Sequence, residues 1–198
     1  MKLILMTQPN FFVEEDKILT TLFEEGLDRL HLNKPEASPV YSERLLSLLP
    51  DDVYTKIMVH DHYYLKSEYK LGGIHIDDED AQIPNGYKGD FSRTCYHIDR
   101  LKELKKKAEY VFLSNTFNDG KHFSYSMEDL RRASDNGLID KHVYAFGGVN
   151  LDNVRMAKDL GFGGVVICED LWNKFNIQHE QNYKELINHF EKLKKIIS

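Results

Sequence analysis

Carboxylates and imidazoles cluster where apolar runs end. Val59-His60-Asp61-His62 closes one run with three titratable residues in succession. Asp61 suits a hard cation, whereas His60 and His62 could join it in a transition-metal site. In a strand, alternate side chains point to opposite faces, so only one or two of the three share a side. Ile74-His75-Ile76-Asp77-Asp78-Glu79-Asp80 closes another run with four successive carboxylates. Taken alone, that stretch reads as a solvated acidic loop in which Asp80 caps a turn. Beside Asp61 on a neighbouring strand, it reads equally as part of a Mg²⁺ site, because that ion takes one or two carboxylates and completes its shell with ligand phosphate oxygens.

A second kind of chemistry is written in glycine. Tyr144-Ala145-Phe146-Gly147-Gly148-Val149-Asn150 is a strand-like run ending in two glycines, followed by Leu151-Asp152-Asn153-Val154, a helix start with Asn150 or Asp152 as N-cap. Glycines at a strand end let backbone approach a ligand, and the N–H groups there attract anions. One helix later comes Gly163-Gly164-Val165-Val166-Ile167-Cys168. Either could be an ordinary tight turn, but the tandem favours a phosphate site of the kind built late in (β/α)8 barrels. Two further segments put polar residues at strand ends. His31 and Asn33 share one face of Leu30-His31-Leu32-Asn33-Lys34-Pro35, and Ser114-Asn115-Thr116-Phe117-Asn118-Asp119-Gly120-Lys121 is a polar loop holding one lysine. Lys121 matters only if that loop hangs over a barrel mouth. His75 and His97 read as core or rim histidines.

The elements that must carry these residues alternate along the whole chain. Strand candidates are Lys2–Met6, Arg29–Leu32, Tyr54–Val59, Gly73–Ile76, Phe91–His97, Tyr110–Leu113, Val143–Phe146 and Gly164–Cys168. Helical patterns occupy Val13–Glu25, Ser42–Leu49, His62–Tyr69, Ile98–Lys107, Met127–Asn136, Leu151–Leu160 and Gln181–Ile196. Repeated right-handed βαβ units close into a barrel. Between strands four and five, Ile83-Pro84-Asn85-Gly86-Tyr87-Lys88-Gly89 is turn chemistry. The expected fold is therefore a single (β/α)8 TIM barrel over residues 1–198 with a reduced fourth helix; a doubly wound open sheet is the competing arrangement.

Composition narrows the function. The 198 residues carry a net charge of −6, which disfavours a general nucleic-acid or anionic-membrane surface. An anionic substrate would need local cations or a metal ion. Cys95 and Cys168 lie in apolar runs without metal-type spacing and read as free thiols in a reducing compartment. The apolar run after Lys2 is too short for a signal or a bilayer span. The expected location is the cytoplasm.

The ordered motifs resemble thiamine phosphate synthase (thiamine-phosphate pyrophosphorylase) and its TenI-like relatives over nearly the whole chain. That family carries Q-x-R-x-K after strand two, N-D after strand three, H-x-G-Q-E-D after strand four and a small-residue-x-H segment on strand five. It continues with G-P-x-[FY]…K after strand six, I-G-G-I-x-x-x-N at strand seven and G-x-x-G-V-x-x-I-S at strand eight. The matching residues here are His31-Leu32-Asn33, His60-Asp61, His75 to Asp80, Cys95-Tyr96-His97, Ser114 to Lys121, Phe146 to Asn153 and Gly161 to Cys168. The resemblance implies a transferase that joins hydroxymethylpyrimidine diphosphate to a thiazole phosphate and expels diphosphate. It implies Mg²⁺ on Asp61 and Asp80, catalytic roles for Lys121 and Cys95, and substrate contacts from His31, Asn33, His60, Asn115, Gly147, Gly148, Cys168 and Glu169. The partners it implies are small phosphorylated heterocycles, with no nucleic acid or membrane and with a homodimer left open. Departures stand beside it. Asn33 replaces a charged arginine clamp, His60 an asparagine, Cys95 a small hydroxyl residue, Asp78 a glutamine and Glu169 a small residue. Asn115 stands where the family has proline and where TenI-type tautomerases have histidine. Three readings follow: a divergent synthase, a related barrel enzyme acting on another thiamine precursor, or a non-catalytic ligand-binding barrel.

Overall fold

The computed structural model describes residues 1–118, 120, 123–176 and 183–198. Eight parallel strands, paired in sequence order, close into a barrel. They are β1 (Lys2–Met6), β2 (Arg29–Leu32), β3 (Ile57–Val59), β4 (Gly73–Ile76), β5 (Asp90–Cys95), β6 (Tyr110–Leu113), β7 (Val143–Ala145) and β8 (Gly164–Ile167). Closure is a four-residue parallel register between Lys2–Leu5 and Gly164–Ile167. The helices between and after the strands are α1 (Glu15–Glu24), α2 (Pro39–Leu48), α3 (Leu65–Glu68), α4 (Leu101–Leu104), α5 (Met127–Asp135), α6 (Val154–Asp159), α7 (Glu169–Trp172) and α8 (Lys184–Ile197). No helix lies between β4 and β5, where a turn closes through the Tyr87 amide on Pro84 O, as the proline and glycines there dictate.

Strand alternation sorts the side chains into two layers. Leu3, Leu5, Leu30, Leu32, Ile57, Val59, Ile74, Ile76, Val111, Leu113, Val165 and Ile167 point outward and form one continuous apolar shell with the helices. The barrel interior holds Ile4, Met6, Met58, Tyr110, Phe112 and Val166, with Tyr144 and Phe146 packed against them. Below them the Arg29 guanidinium plugs the N-terminal end, forked onto Glu109 at 2.7 and 2.6 Å.

Several element boundaries differ from the sequence expectation, among them those of β3 and of the stretch after β8. Tyr54-Thr55-Lys56 looks like the start of strand three, but Asp51–Lys56 is a 3-10 turn that begins after Pro50, and β3 is only Ile57–Val59. The four-residue helix α7 follows β8 directly. It buries Leu171 and Trp172, and the Trp172 indole N–H donates to Met6 O at 2.8 Å, tying the end of β8 to the end of β1. Among the described residues, no helix is long and apolar enough to cross a membrane.

Candidate functional site

Barrel active sites are assembled where strands end at the C-terminal face. At that face, beyond β6, β7 and β8, a cavity of about 440 Å³ is lined by Ser114, Asn115, the 146–150 turn, Cys168, Glu169 and Asp170. The turn is rigid. Asn150 Oδ1 accepts the amides of Asp152 (2.9 Å) and Asn153 (3.2 Å), and Asn153 Oδ1 accepts the Asn150 amide at 2.9 Å. This reciprocal cap fixes the approach to α6. Gly147 and Gly148 have φ of +91° and +67°. A Cβ on Gly148 would lie 2.4 Å from Phe117 O, so the β6 and β7 loops can touch only because this position is glycine. The amides of Gly147, Gly148 and Val149 donate to no protein acceptor among the described residues. Asn115 takes a left-handed φ of 55° to make the facing turn. On the opposite wall, Asp170 accepts from His189 Nε2 at 2.7 Å, which answers part of the acidity of that wall, while Glu169 opens α7.

A hydrogen-bonded chain runs down the barrel interior from the same face. Asp77, exposed at the mouth, accepts from His60 Nδ1 at 2.9 Å. His60 Nε2 lies 2.8 Å from His31 Nδ1, and His31 Nε2 lies 2.7 Å from the Tyr110 hydroxyl. Tyr110 accepts from Arg29 at 3.4 Å. His75 bonds Ser92 Oγ (2.7 Å) and Thr94 Oγ1 (2.8 Å), and its ring stacks on His60 at 4.3 Å. Burial drives the pKa of His31 and His75 well below the ordinary histidine value, and the neighbouring His60 ring adds to the effect. Asp77 supplies the carboxylate of the chain, and neither it nor Tyr110 stands out in the sequence. Alternation along β4 and β6 is the signal that could have found them, since it puts both on the inward face with His75.

The expected metal ligands have different surroundings. Asp61 is half-buried, and its Oδ2 is buried without a hydrogen-bond partner among the described residues. Asp80 is exposed and paired with Arg100. Glu79, between the acidic residues, is buried. Burial works against its charge, yet the Tyr96 amide, His97 and Arg100 hold its carboxyl below the usual value. His62 does not join Asp61 in a histidine site; its ring bonds Ala37 O at 3.0 Å. The three imidazoles that do meet are His31, His60 and His75.

Cys95 belongs to the outward apolar shell. The parity that turns Ser92 and Thr94 inward turns Cys95 out. Its thiol donates to His97 O at 3.0 Å, and burial pushes its pKa up to about 12, so no thiolate forms to act on a substrate in the barrel. Cys168 is half-buried at the cavity wall, with its thiol raised to about 11 by burial and by Glu169. Asn33 lies at the mouth of β2, its amide and carbonyl both bonded to Thr7 Oγ1. The neighbouring Lys34 is buried against Glu15 at 2.6 Å, with Asn10 O as second acceptor. Lys121 lies outside the described residues.

No protein-family model matches the chain, and no curated protein does. Solved structures do. Thiamine phosphate pyrophosphorylase from Bacteroides thetaiotaomicron is 48% identical, with a TM-score of 0.91 over 99% of this chain and 97% of that one. Thiamine phosphate pyrophosphorylase from Pyrococcus furiosus is 19% identical, with a TM-score of 0.75 over 99% and 95% of the two chains. The 3-hexulose-6-phosphate synthase from Salmonella typhimurium is 11% identical, with a TM-score of 0.64 over 100% and 98%, a likeness of fold alone.

Proposed function

Because the chain belongs to the thiamine phosphate pyrophosphorylase family, we propose that it joins hydroxymethylpyrimidine diphosphate to a thiazole phosphate and releases diphosphate. The observation that carries this reading is 48% identity along 99% of the chain to a pyrophosphorylase. The cavity at β6–β8 supports it. Three backbone amides with no acceptor among the described residues, on a turn tied by reciprocal asparagine bonds, make an anion cradle, and the thiazole phosphate would be seated on them.

In this reaction the bond from the pyrimidine methylene carbon to the diphosphate oxygen breaks. The thiazole nitrogen supplies the electron pair for the new carbon–nitrogen bond, and no proton has to move. The chain's task is to hold two anionic substrates in line and to stabilise the departing charge. The interior chain of His60, His31 and Tyr110 gives the pyrimidine side a polar floor whose hydrogens are already committed. The residues that would hold Mg²⁺ are Asp61, whose orphaned buried oxygen suits a hard cation, and Asp80, which would turn from Arg100 toward it. An ion held there would supply charge neutralisation to the departing diphosphate. Asn33 offers no charge where the family clamp is an arginine, and a charge-assisted hydrogen bond contributes about 1.5–3 kcal/mol. Affinity for the diphosphate should then be lower by about one to two decades.

The test is direct. Purified protein with both substrates and Mg²⁺ should yield thiamine phosphate and diphosphate, read by mass spectrometry. Asn33→Arg should raise turnover at low pyrimidine diphosphate. No product from either protein would sink the reading.

A further inference from the structure

We propose that His31, His60 and His75 form a site for a first-row divalent transition-metal ion such as Zn²⁺ or Co²⁺, with Asp77 as the carboxylate behind His60. The three side chains come from β2, the end of β3 and β4, all are buried, and one ligand nitrogen from each lies within 4.8 Å of the others. Barrel interiors are usually filled with branched apolar side chains. Here three imidazoles meet on neighbouring strands, with the Phe112 ring 4.6 Å from His31 and 4.7 Å from His75. Nitrogen-only donors favour Zn²⁺, Co²⁺ or Ni²⁺ over Mg²⁺, so this site is distinct in kind from the hard-cation position at Asp61.

The hydrogen bonds show how an ion would enter. Asp77 accepts from His60 Nδ1, so in the neutral ring His60 Nε2 carries the lone pair, and it points at His31. A carboxylate on the far nitrogen is the arrangement that orients metal-bound histidines and raises their basicity. His31 then carries its proton on Nδ1 and accepts from Tyr110 on Nε2. Moving that one proton to Nε2, with the Tyr110 hydroxyl turned to accept it, leaves two bare nitrogens facing each other. They are 2.8 Å apart. Tetrahedral Zn–N bonds set nitrogens about 3.3 Å apart, so a small opening admits the ion in place of the shared proton. His75 bonds two hydroxyls, which serve as donor or acceptor for either tautomer, and it supplies the third nitrogen by rotating off His60.

The measurement needs no substrate, so its outcome is independent of the pyrophosphorylase reading. Metal-stripped protein is titrated with Co²⁺ alone and followed by visible absorption. One equivalent per chain should give the intense bands of a low-coordinate ion. Zn²⁺ should bleach them, and excess Mg²⁺ should leave them unchanged. His60→Asn should abolish the bands, and Asp77→Asn should weaken binding by about 10- to 100-fold. Folding is checked by circular dichroism. If His60→Asn does not fold, Asp77→Asn, altered at an exposed side chain, decides the matter. No bands in the wild type overturn the site, and so do bands of undiminished affinity in the folded variants.

Discussion

At the residue scale, buried titratable groups set how this fold responds to acid. His31 and His75 are kept neutral by burial, so their folded pKa values lie below 6.5. Below pH 6.5 the unfolded chain therefore takes up protons that the folded chain refuses. Their stabilising contribution is complete above that pH and is lost as pH falls toward their folded values, with a combined limiting slope of about 2.7 kcal/mol per pH unit. Glu15 acts in the opposite sense. Burial outweighs the Lys34 ammonium and lifts its carboxyl from 4.5 to about 7, so its contribution grows as pH falls from about 7 to 4.5. With two groups against one, chemical denaturation should show stability falling between pH 6.5 and 5. Glu15→Gln should steepen that fall by removing the opposing term. A wild-type profile that rises as pH falls over this interval would mean the imidazoles titrate normally in the barrel and leave Glu15 alone to set the slope.

At the element scale, legibility followed the continuity of apolar runs. Lys2–Met6, Arg29–Leu32, Gly73–Ile76 and Tyr110–Leu113 are strands with the ends expected from sequence, because each run is bounded by polar or turn residues. Strand three was overextended, since Tyr54-Thr55-Lys56 has strand-forming residue types while Pro50 and two aspartates start a 3-10 turn. Helix α7 was invisible because four residues carry no period. Cys95 was expected in the site because the resemblance put it at the family's small residue on strand five, and the parity of β5 turns it into the outward shell. The double glycine was legible as a close approach, and the structure adds that the first thing approached is the β6 loop. Gly148→Ala must therefore move Phe117 O and also hold a left-handed residue, the latter alone costing about 1–2 kcal/mol. The variant should lose at least that much stability in urea. It should also raise KM for the thiazole phosphate more than for the pyrimidine diphosphate, because the free amides sit in that turn. Equal effects on both substrates would place the anion cradle elsewhere.

At the scale of the whole molecule, one polar chain ties the two ends of the barrel together. It begins at Asp77 in the C-terminal mouth, passes through His60 and His31, and reaches Tyr110 and the Arg29–Glu109 plug at the N-terminal end. Sequence reading found His31 and His60 as isolated strand-end residues. Their link to Tyr110 could not be read, because it depends on closure bringing β6 across from β2. Every link has one donor and one acceptor, so removing one hydroxyl should be felt along the line. Tyr110→Phe keeps the ring, its 4.6 Å stack on Tyr144 and its place under Arg29. It strips His31 Nε2 of its partner at a fully buried position, at a cost of about 1–3 kcal/mol. Tyr144→Phe, on the neighbouring ring outside the chain, should cost less. The ¹⁵N shifts of His31 should also move in Tyr110→Phe, since Nε2 then loses the hydroxyl that donates to it. Equal stability of the two variants together with unchanged His31 shifts would show that the chain is a row of independent contacts and does not act as one network.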